Sequence, residues 1–304
     1  MSVKFTLRQL EYFVAVGNSG SIAGASDQVN ISPAAISSAI SQLEDLFGIE
    51  LFVRQHAQGL KLTPGGRRFF KVACVLLENA EELYDVANEI AEQVRGPINV
   101  GCLVSVAPFV LPESRRSFVE QFPEVIFHQI EAHQVDLFNM LRRAEIDIAI
   151  TYDLELPHDI EFLPVTELPP YALFAPSHPL SNRDSVSLKE LAEIPLILLD
   201  LPLSREYFFS LFLEKKLRPI IAERTASLPM VRTMVANEFG YGLLNIPSKN
   251  QKALDGKQVS YVPLEKGLRP MQLGLITMAS ERRSRIMDAF IDHISDQLSN
   301  YPMP

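Results

Sequence analysis

The sequence predicts an α plus α/β chain: an N-terminal winged helix-turn-helix, one long coiled-coil helix, and an α/β half. Three observations predict it. Two short helical patterns followed by two β-like runs fill residues 21–63. Apolar residues at alternating spacings of four and three then continue without a breaker through residues 64–94, as helix-to-helix packing requires. From Pro97 onward, β-like and helical stretches alternate, the pattern of a parallel sheet covered by helices.

At 304 residues the chain is long for one domain. Hydrophobic residues are 47% and charged residues 21%, which suits sizeable globular cores. The residues after Met1 hold no apolar signal-peptide core, and no apolar run is long enough to span a bilayer, so no membrane association is expected. Cys74 and Cys102 lie in separate segments and read as free thiols in a reducing cytoplasm. With no C-x-x-C or H-E-x-x-H spacing, neither a metal nor a cofactor is expected. His128 and His133 are five apart and fall on different faces of one strand, which makes them poor metal ligands. No Ser/His/Asp arrangement stands out and Asp147 sits in the apolar run IDIAI, so an enzyme is disfavoured.

The net charge of −9 is unevenly spread. Residues 1–71 carry seven basic and five acidic side chains, residues 72–95 one basic against six acidic, and residues 96–304 twenty against twenty-six. The N-terminal unit is the only positive part, which fits a nucleic-acid partner, modest non-specific affinity and a need for dimers.

Thr6 can cap a helix over residues 6–17 with the stripe Leu7, Leu10, Phe13 and Val14, and Gly17 lies near its end. Ser21 can cap the next helix, which places Ile22, Ala25 and Val29 on one face. Ser32 then Pro33 is a second start signal, a hydroxyl cap followed by proline where no amide is needed. Ile36, Ile40, Leu43 and Phe47 form the buried stripe of this helix, and Gly48 stops it. Its other face carries Ser32, Ala34, Ser37, Ser38 and Gln42. Small residues let a backbone approach the major groove, and hydroxyls and amides reach base edges and phosphates. Ala34, Ser37 and Gln42 are the candidates for bases, and Ser32 and Ser38 for phosphates, with Ser21 and Pro33 completing the expected DNA-binding set on these two helices. The alternative is an ordinary helical hairpin with a small-residue packing face.

Leu51–Arg54 and Leu60–Thr63 read as two short strands around the polar loop Gln55–Gly59, a wing from which Arg54, His56 and Lys61 can reach phosphates or the minor groove. Thr63-Pro64 starts the long helix, about 31 residues or roughly 46 Å. Phe69, Ala73, Leu76, Ala80, Leu83, Ala87, Ile90 and Val94 form its seam, with acidic residues on the outer faces, as in an exposed dimer helix. Gly96-Pro97 ends it.

At this point a family resemblance is clear. The first helix LRQLEYFVAV, then GSIAGAS, SPAAISSAISQLEDLFGIELFVR and LTPGG resemble the DNA-binding half of a LysR-type transcriptional regulator. HPLSNRDSVSLKELAEIPLILL and MVRTMVANEFGYGLLNIP resemble its effector domain, so the similarity covers nearly the whole chain. Gly24 departs from it, since the family commonly has alanine there. The resemblance implies a winged helix-turn-helix over 1–63, a linker helix over 64–95 and a periplasmic-binding-protein-like effector domain over 96–304. It further implies two α/β lobes, about 97–164 with 268–298 and about 165–267, with Pro164–Thr166 and Glu265–Gly267 as the two crossover strands or hinges. The implied partners are double-stranded promoter DNA, a small-molecule effector, further copies of the chain in a homotetramer, and RNA polymerase.

Ligands of open α/β sheets sit beyond the carboxyl ends of strands. The loops expected there nominate Leu103, Ser105, His133, Tyr152, Ser204, Arg205, Thr225 and Ser227 for effector binding. Ser105 and Ser227 each precede a helix, whose free amides favour an anion, and Arg205 can grip a carboxylate. The alternative is that the serines are caps and Arg205 pairs with Glu206 or another acid. Cys102, inside an apolar strand, reads as an inert thiol.

Overall fold

The computed structural model describes residues 3–55, 59–91, 93–279 and 283–299. His56, and the side chains of Arg54, Ala87 and Ile90, lie outside what is described. The chain divides into two compact units, residues 1–92 and 93–304.

The first unit is α1 (Leu7–Ser19), α2 (Ile22–Val29), α3 (Pro33–Phe47), the hairpin β1 (Phe52–Gln55) and β2 (Gly59–Leu62), and α4 (Pro64–Ala91). Its helix starts follow from local chemistry. The hydroxyls of Thr6, Ser21 and Ser32 accept the backbone amides of Gln9, Gly24 and Ala35, and Pro33 opens α3. The helices stop at Gly20, Asn30 and Gly48, all in the left-handed region. Gly17 is therefore not a stop. It lies inside α1, where the Phe70 ring sits 2.5 Å from where a Cβ would be.

Leu10, Phe13 and Leu43 are buried in one cluster, and Val16, Ala25, Ile36 and Ile40 in a second. Phe47 is not; it is 40% exposed at the end of α3 and packs its ring on Phe69, centroids 4.8 Å apart. The predicted seam of α4 is also divided. Phe69 and Ala73 pack into the unit's own core, Leu76 and Leu83 are exposed, and Val94 lies beyond the helix against the core of the second unit. The exposed apolar face of α4 is thus Val72, Val75, Leu76 and Leu83, spaced to lie along one side.

The second unit holds two five-stranded sheets. Its elements in chain order are β3 (Gly96–Leu103), α5 (Ala107–Gln121), β4 (Val125–Ala132), α6 (Gln134–Arg142), β5 (Ile148–Tyr152), β6 (Ile160–Leu168), β7 (Tyr171–Phe174), α7 (Leu188–Leu191), β8 (Pro195–Leu199), α8 (Ser204–Glu214), β9 (Ile220–Thr225), α9 (Leu228–Ala236), β10 (Tyr241–Leu244), β11 (Ser260–Pro263), β12 (Met271–Met278) and α10 (Arg285–Ser299). The first sheet runs β4-β3-β5-β12-β6 and the second β11-β7-β10-β8-β9. Both are mixed rather than parallel. β12 runs antiparallel to β5 and β6, and β7 antiparallel to β10 and β11, because the chain crosses between lobes and returns.

The step between lobes lies just after the segment 164–166 that the resemblance implies, which is itself part of a strand. β6 stays paired with β12 from Ile160 to Leu168, and Pro164 sits at a bulge in this edge strand instead of ending it. The lobes are therefore joined at Pro169-Pro170 and again by residues 264–270.

Gly65 and Gly66 test the packing of the first unit. A Cβ on Gly66 would lie 2.1 Å from the Leu51 carbonyl oxygen, whereas one on Gly65 would meet only the Thr63 hydroxyl at 3.7 Å. Gly66→Ala should lower the stability of this unit by about 1–3 kcal/mol, while Gly65→Ala, at an unstrained helix start, should leave it unchanged or raise it by up to about 1 kcal/mol. Urea unfolding of the full chain followed by far-UV circular dichroism checks both.

Candidate DNA interface and effector cleft

On α3 the residues named from sequence share one outward face. Ser32, Pro33, Ala34, Ser37, Ser38 and Gln42 are all exposed, while Ile36, Ala39, Ile40 and Leu43 are buried behind them. Ser21 is half-buried and Ser32 is exposed, each spending its oxygen on its helix cap. The wing is held against the α1–α2 turn by the Leu60 amide, which donates to the Gly20 carbonyl at 2.8 Å, and Lys61 is exposed on it.

Gln42 is not a free amide. The Thr6 amide donates to Gln9 Oε1 at 2.8 Å, which orients the Gln9 side chain, and Gln9 Nε2 donates to Gln42 Oε1 at 2.7 Å. Gln42 Nε2 in turn donates to Ser38 Oγ at 3.4 Å. The acceptor of Gln42 is consumed within the unit, so the amide shows its N–H outward. A bidentate contact to adenine needs both, and a single donor to a guanine, adenine N7 or thymine acceptor is left.

In the second unit the carboxyl ends of β3, β5, β8, β9 and β10 meet at a cleft with two hollows. The outer one, about 310 Å³, is walled by Val104, Ser105, Pro108, Phe109, Ser227 and Leu228 among others. The inner one, about 20 Å³, is walled by Ser105, Tyr152, Ser204, Phe208, Asn245 and Met271 among others, and shares Ser105 and Leu228 with the first. No wall residue of either is charged. The hydroxyls of Ser105 and Ser204 make no hydrogen bond among the described residues, and both residues are buried. Ser227 caps α9 through the Met230 amide.

Of the eight residues nominated from sequence, the structure brings Ser105, Tyr152, Ser204 and Ser227 to these walls. The other four line neither hollow. Leu103 is buried in the core below, and His133 heads α6 with its Nδ1 buried and unpartnered. Thr225 Oγ1 accepts the Ser227 amide at 3.2 Å. Arg205 is corrected outright. Its guanidinium pairs with Asp200 at 2.7 Å and Glu206 at 2.5 Å, which engage three of its five N–H donors, and the two acids are held below their ordinary pKa although desolvation opposes it.

Known proteins decide the family. The model of the bacterial regulatory helix-turn-helix protein of the lysR family matches residues 7–67, and that of the LysR substrate binding domain matches residues 91–299. The chain belongs to the LysR family. It is a DNA-binding transcriptional regulator with a substrate-binding effector domain. The chain is similar to HinK, a LysR family transcriptional regulator from Pseudomonas aeruginosa, at 34% identity and a TM-score of 0.68 over 98% of this chain and 100% of that one. It is 26% identical to the hydrogen peroxide-inducible genes activator of Pectobacterium carotovorum subsp. carotovorum, over 97% of each chain. It shares the fold of a full-length OxyR variant from Pseudomonas aeruginosa at 21% identity, with a TM-score of 0.73 over 98% of this chain and 99% of that one.

Sequence reasoning missed Asn245 and Phe208 in the cleft walls. Asn245 carries a signal, an amide inside the apolar run YGLLNIP that ends β10, and it is 4% exposed. Phe208 carries none, since an aromatic on a helix reads as core. Cys102 is buried with its thiol pushed up by desolvation, as its apolar strand suggests.

The caps and the reading face of this regulator separate by experiment. Ser21→Ala should lower the melting stability of the first unit by about 1 kcal/mol through loss of its cap. Ser37→Ala, exposed and without a hydrogen bond among the described residues, should stay within about 0.5 kcal/mol of wild type. Thermal unfolding of both variants checks the contrast.

Proposed function

We propose that the regulator binds promoter DNA as a dimer of first units, within a homotetramer, and responds to a small molecule held in the interlobe cleft. The observation that carries the DNA assignment is the exposed face of α3, with no large side chain from Ser32 to Gln42 to keep it from the groove. Ala34, Ser37 and Gln42 meet base edges, Gln42 as a donor only, and Ser32, Ser38, Arg54 and Lys61 meet phosphates. His56, at the wing tip in the sequence, joins the phosphate set, and Ser21 and Pro33 set the ends of the helices that carry the others.

The exposed stripe Val72, Val75, Leu76 and Leu83 on α4 supports self-association, since an amphipathic helix left with an apolar side in water gains by covering it. The effector is a small compound with an apolar body, because both hollows are walled mainly by carbon and carry no charge. A carboxylate on it is received at the starts of α5 and α9, beside Ser105 and Ser227. Closure of the lobes on it biases the tetramer and so the bend of the DNA. The bound regulator acts on RNA polymerase, in the cytoplasm; no described helix is long and apolar enough to cross a membrane. A peroxide response like that in the name of the Pectobacterium relative is disfavoured for Cys102, which is enclosed and held as the neutral thiol.

Gel shifts on an operator selected from random duplexes test the division of labour. Gln42→Ala should relax base choice at one position with a loss of about 1 kcal/mol, and Arg54→Ala should weaken binding to all sequences and reduce the salt slope by about one. Equal effects on selected and random DNA would sink it. Leu76→Asp with Leu83→Asp should lower the mass of the homotetramer by light scattering; an unchanged mass would remove α4 from the interface.

A further inference from the structure

Asn245 ends β10 in the wall of the inner hollow, and its hydrogen bonds can be fully counted. Its Nδ2 donates to the Leu168 carbonyl at 2.8 Å and to the Tyr207 hydroxyl at 3.4 Å. Tyr207 cannot be the donor to Asn245, because its single proton goes to the Arg269 carbonyl at 2.6 Å. Burial pushes the Tyr207 phenol up to about 12, so that proton stays in place. Both Nδ2 protons are thus committed, which fixes the amide orientation and leaves Oδ1 as the atom without work. Asn245 Oδ1 is buried and has no hydrogen-bond partner among the described residues. A native fold seldom leaves a buried acceptor bare, because it forfeits its bond to water and receives nothing in return.

From this we infer that Asn245 is a specificity residue of the effector site, whose Oδ1 accepts a hydrogen bond from a hydroxyl on the effector. The inference rests on the proposal that the effector occupies the interlobe cleft. The inner hollow, about 20 Å³, takes one water-sized group and no more. It shares Ser105 and Leu228 with the outer hollow, so a body in the larger space can extend one group inward. The wall carries no acid, so a buried ammonium there would be uncompensated and an uncharged O–H is the donor that fits. The free hydroxyls of Ser105 and Ser204 stand in the same wall and can receive or orient that group's remaining valences.

Asn245 bonds one crossing between the lobes directly and reaches the other through the Tyr207 hydroxyl. Leu168 is the last residue of β6, immediately before Pro169-Pro170, and Arg269 lies in the return segment. A donor that satisfies Oδ1 therefore locks an amide whose other end holds the two connections on which lobe closure turns.

The test is calorimetric titration of the full chain with matched pairs of carboxylates that differ by one hydroxyl: benzoate with 3- and 4-hydroxybenzoate, and cyclohexanecarboxylate with its 3- and 4-hydroxy forms. Wild type should bind one hydroxylated member at least about tenfold more tightly than its parent, and Asn245→Leu should reduce that ratio below about threefold. General damage to the site weakens both members of a pair and leaves their ratio alone, so the ratio isolates Oδ1. Asn245→Ala, which leaves space rather than a clash, replaces Asn245→Leu if that variant fails to fold. Binding with no preference in wild type, or a preference that survives both substitutions, would overturn the inference, leave the cleft proposal standing and assign the inner hollow to a water. If no member of any pair binds wild type, the cleft proposal falls and this inference falls with it.

Discussion

The first unit depends on the Phe13 ring. It is fully buried and touches the wing through Phe52 at 5.4 Å and the long helix through Phe69 at 5.4 Å and Phe70 at 6.0 Å. One side chain on α1 thereby joins the hairpin and α4 to the helix pair that reads DNA. A buried ring of this kind contributes about 1.5–3 kcal/mol by burial alone, more than a surface cap at about 1 kcal/mol. The consequence is geometric. With the first turns of α4 clamped in the core, the exposed stripe from Val72 to Leu83 points in a direction set relative to α3. Any partner that covers this stripe then places a second α3 at a defined spacing.

The second unit solves a different problem, that of holding a small polar group in an apolar cleft. Its charges are kept at the margin. Arg205 and Arg224 share Asp200, and Arg269 pairs with Asp153. These pairs are partly exposed, and such pairs are worth little stability. What remains at the cleft floor is neutral: hydroxyls, helix-start amides and one asparagine. On the reading proposed above, recognition there rests on geometry and on the cost of leaving a buried acceptor bare.

Much of the first unit was legible because its signals are local. Ser21, Ser32-Pro33 and Gly48 act within a turn of where they stand, and each does what its neighbours in sequence suggest. Gly17 misled for the same reason: its role is set by Phe70, far along the chain, and not by the end of its helix. The heptad pattern of α4 is real, but one stripe serves two surfaces, and spacing cannot say where the core ends and the interface begins. In the second unit the alternation of elements was readable and the discontinuous lobes came only with the family. Pro164 looked like a break and is a bulge, since an edge strand tolerates a missing donor. Arg205 read as a ligand contact because Asp200, its partner, lies on the far side of a turn whose shape is not in the residues. Asn245 showed only as an amide in an apolar run, and its role was not legible because its partners stand 77 and 38 residues away.

The central claim is that the clamp at Phe13 fixes the spacing between two reading heads. Selection of binding sites from a random duplex library with the full chain measures that spacing directly. The account predicts an interrupted palindrome whose half-site centres are separated by a whole number of helical turns, each about 10–10.5 base pairs. A single unpaired half-site, or paired half-sites at freely varying separation, would contradict it.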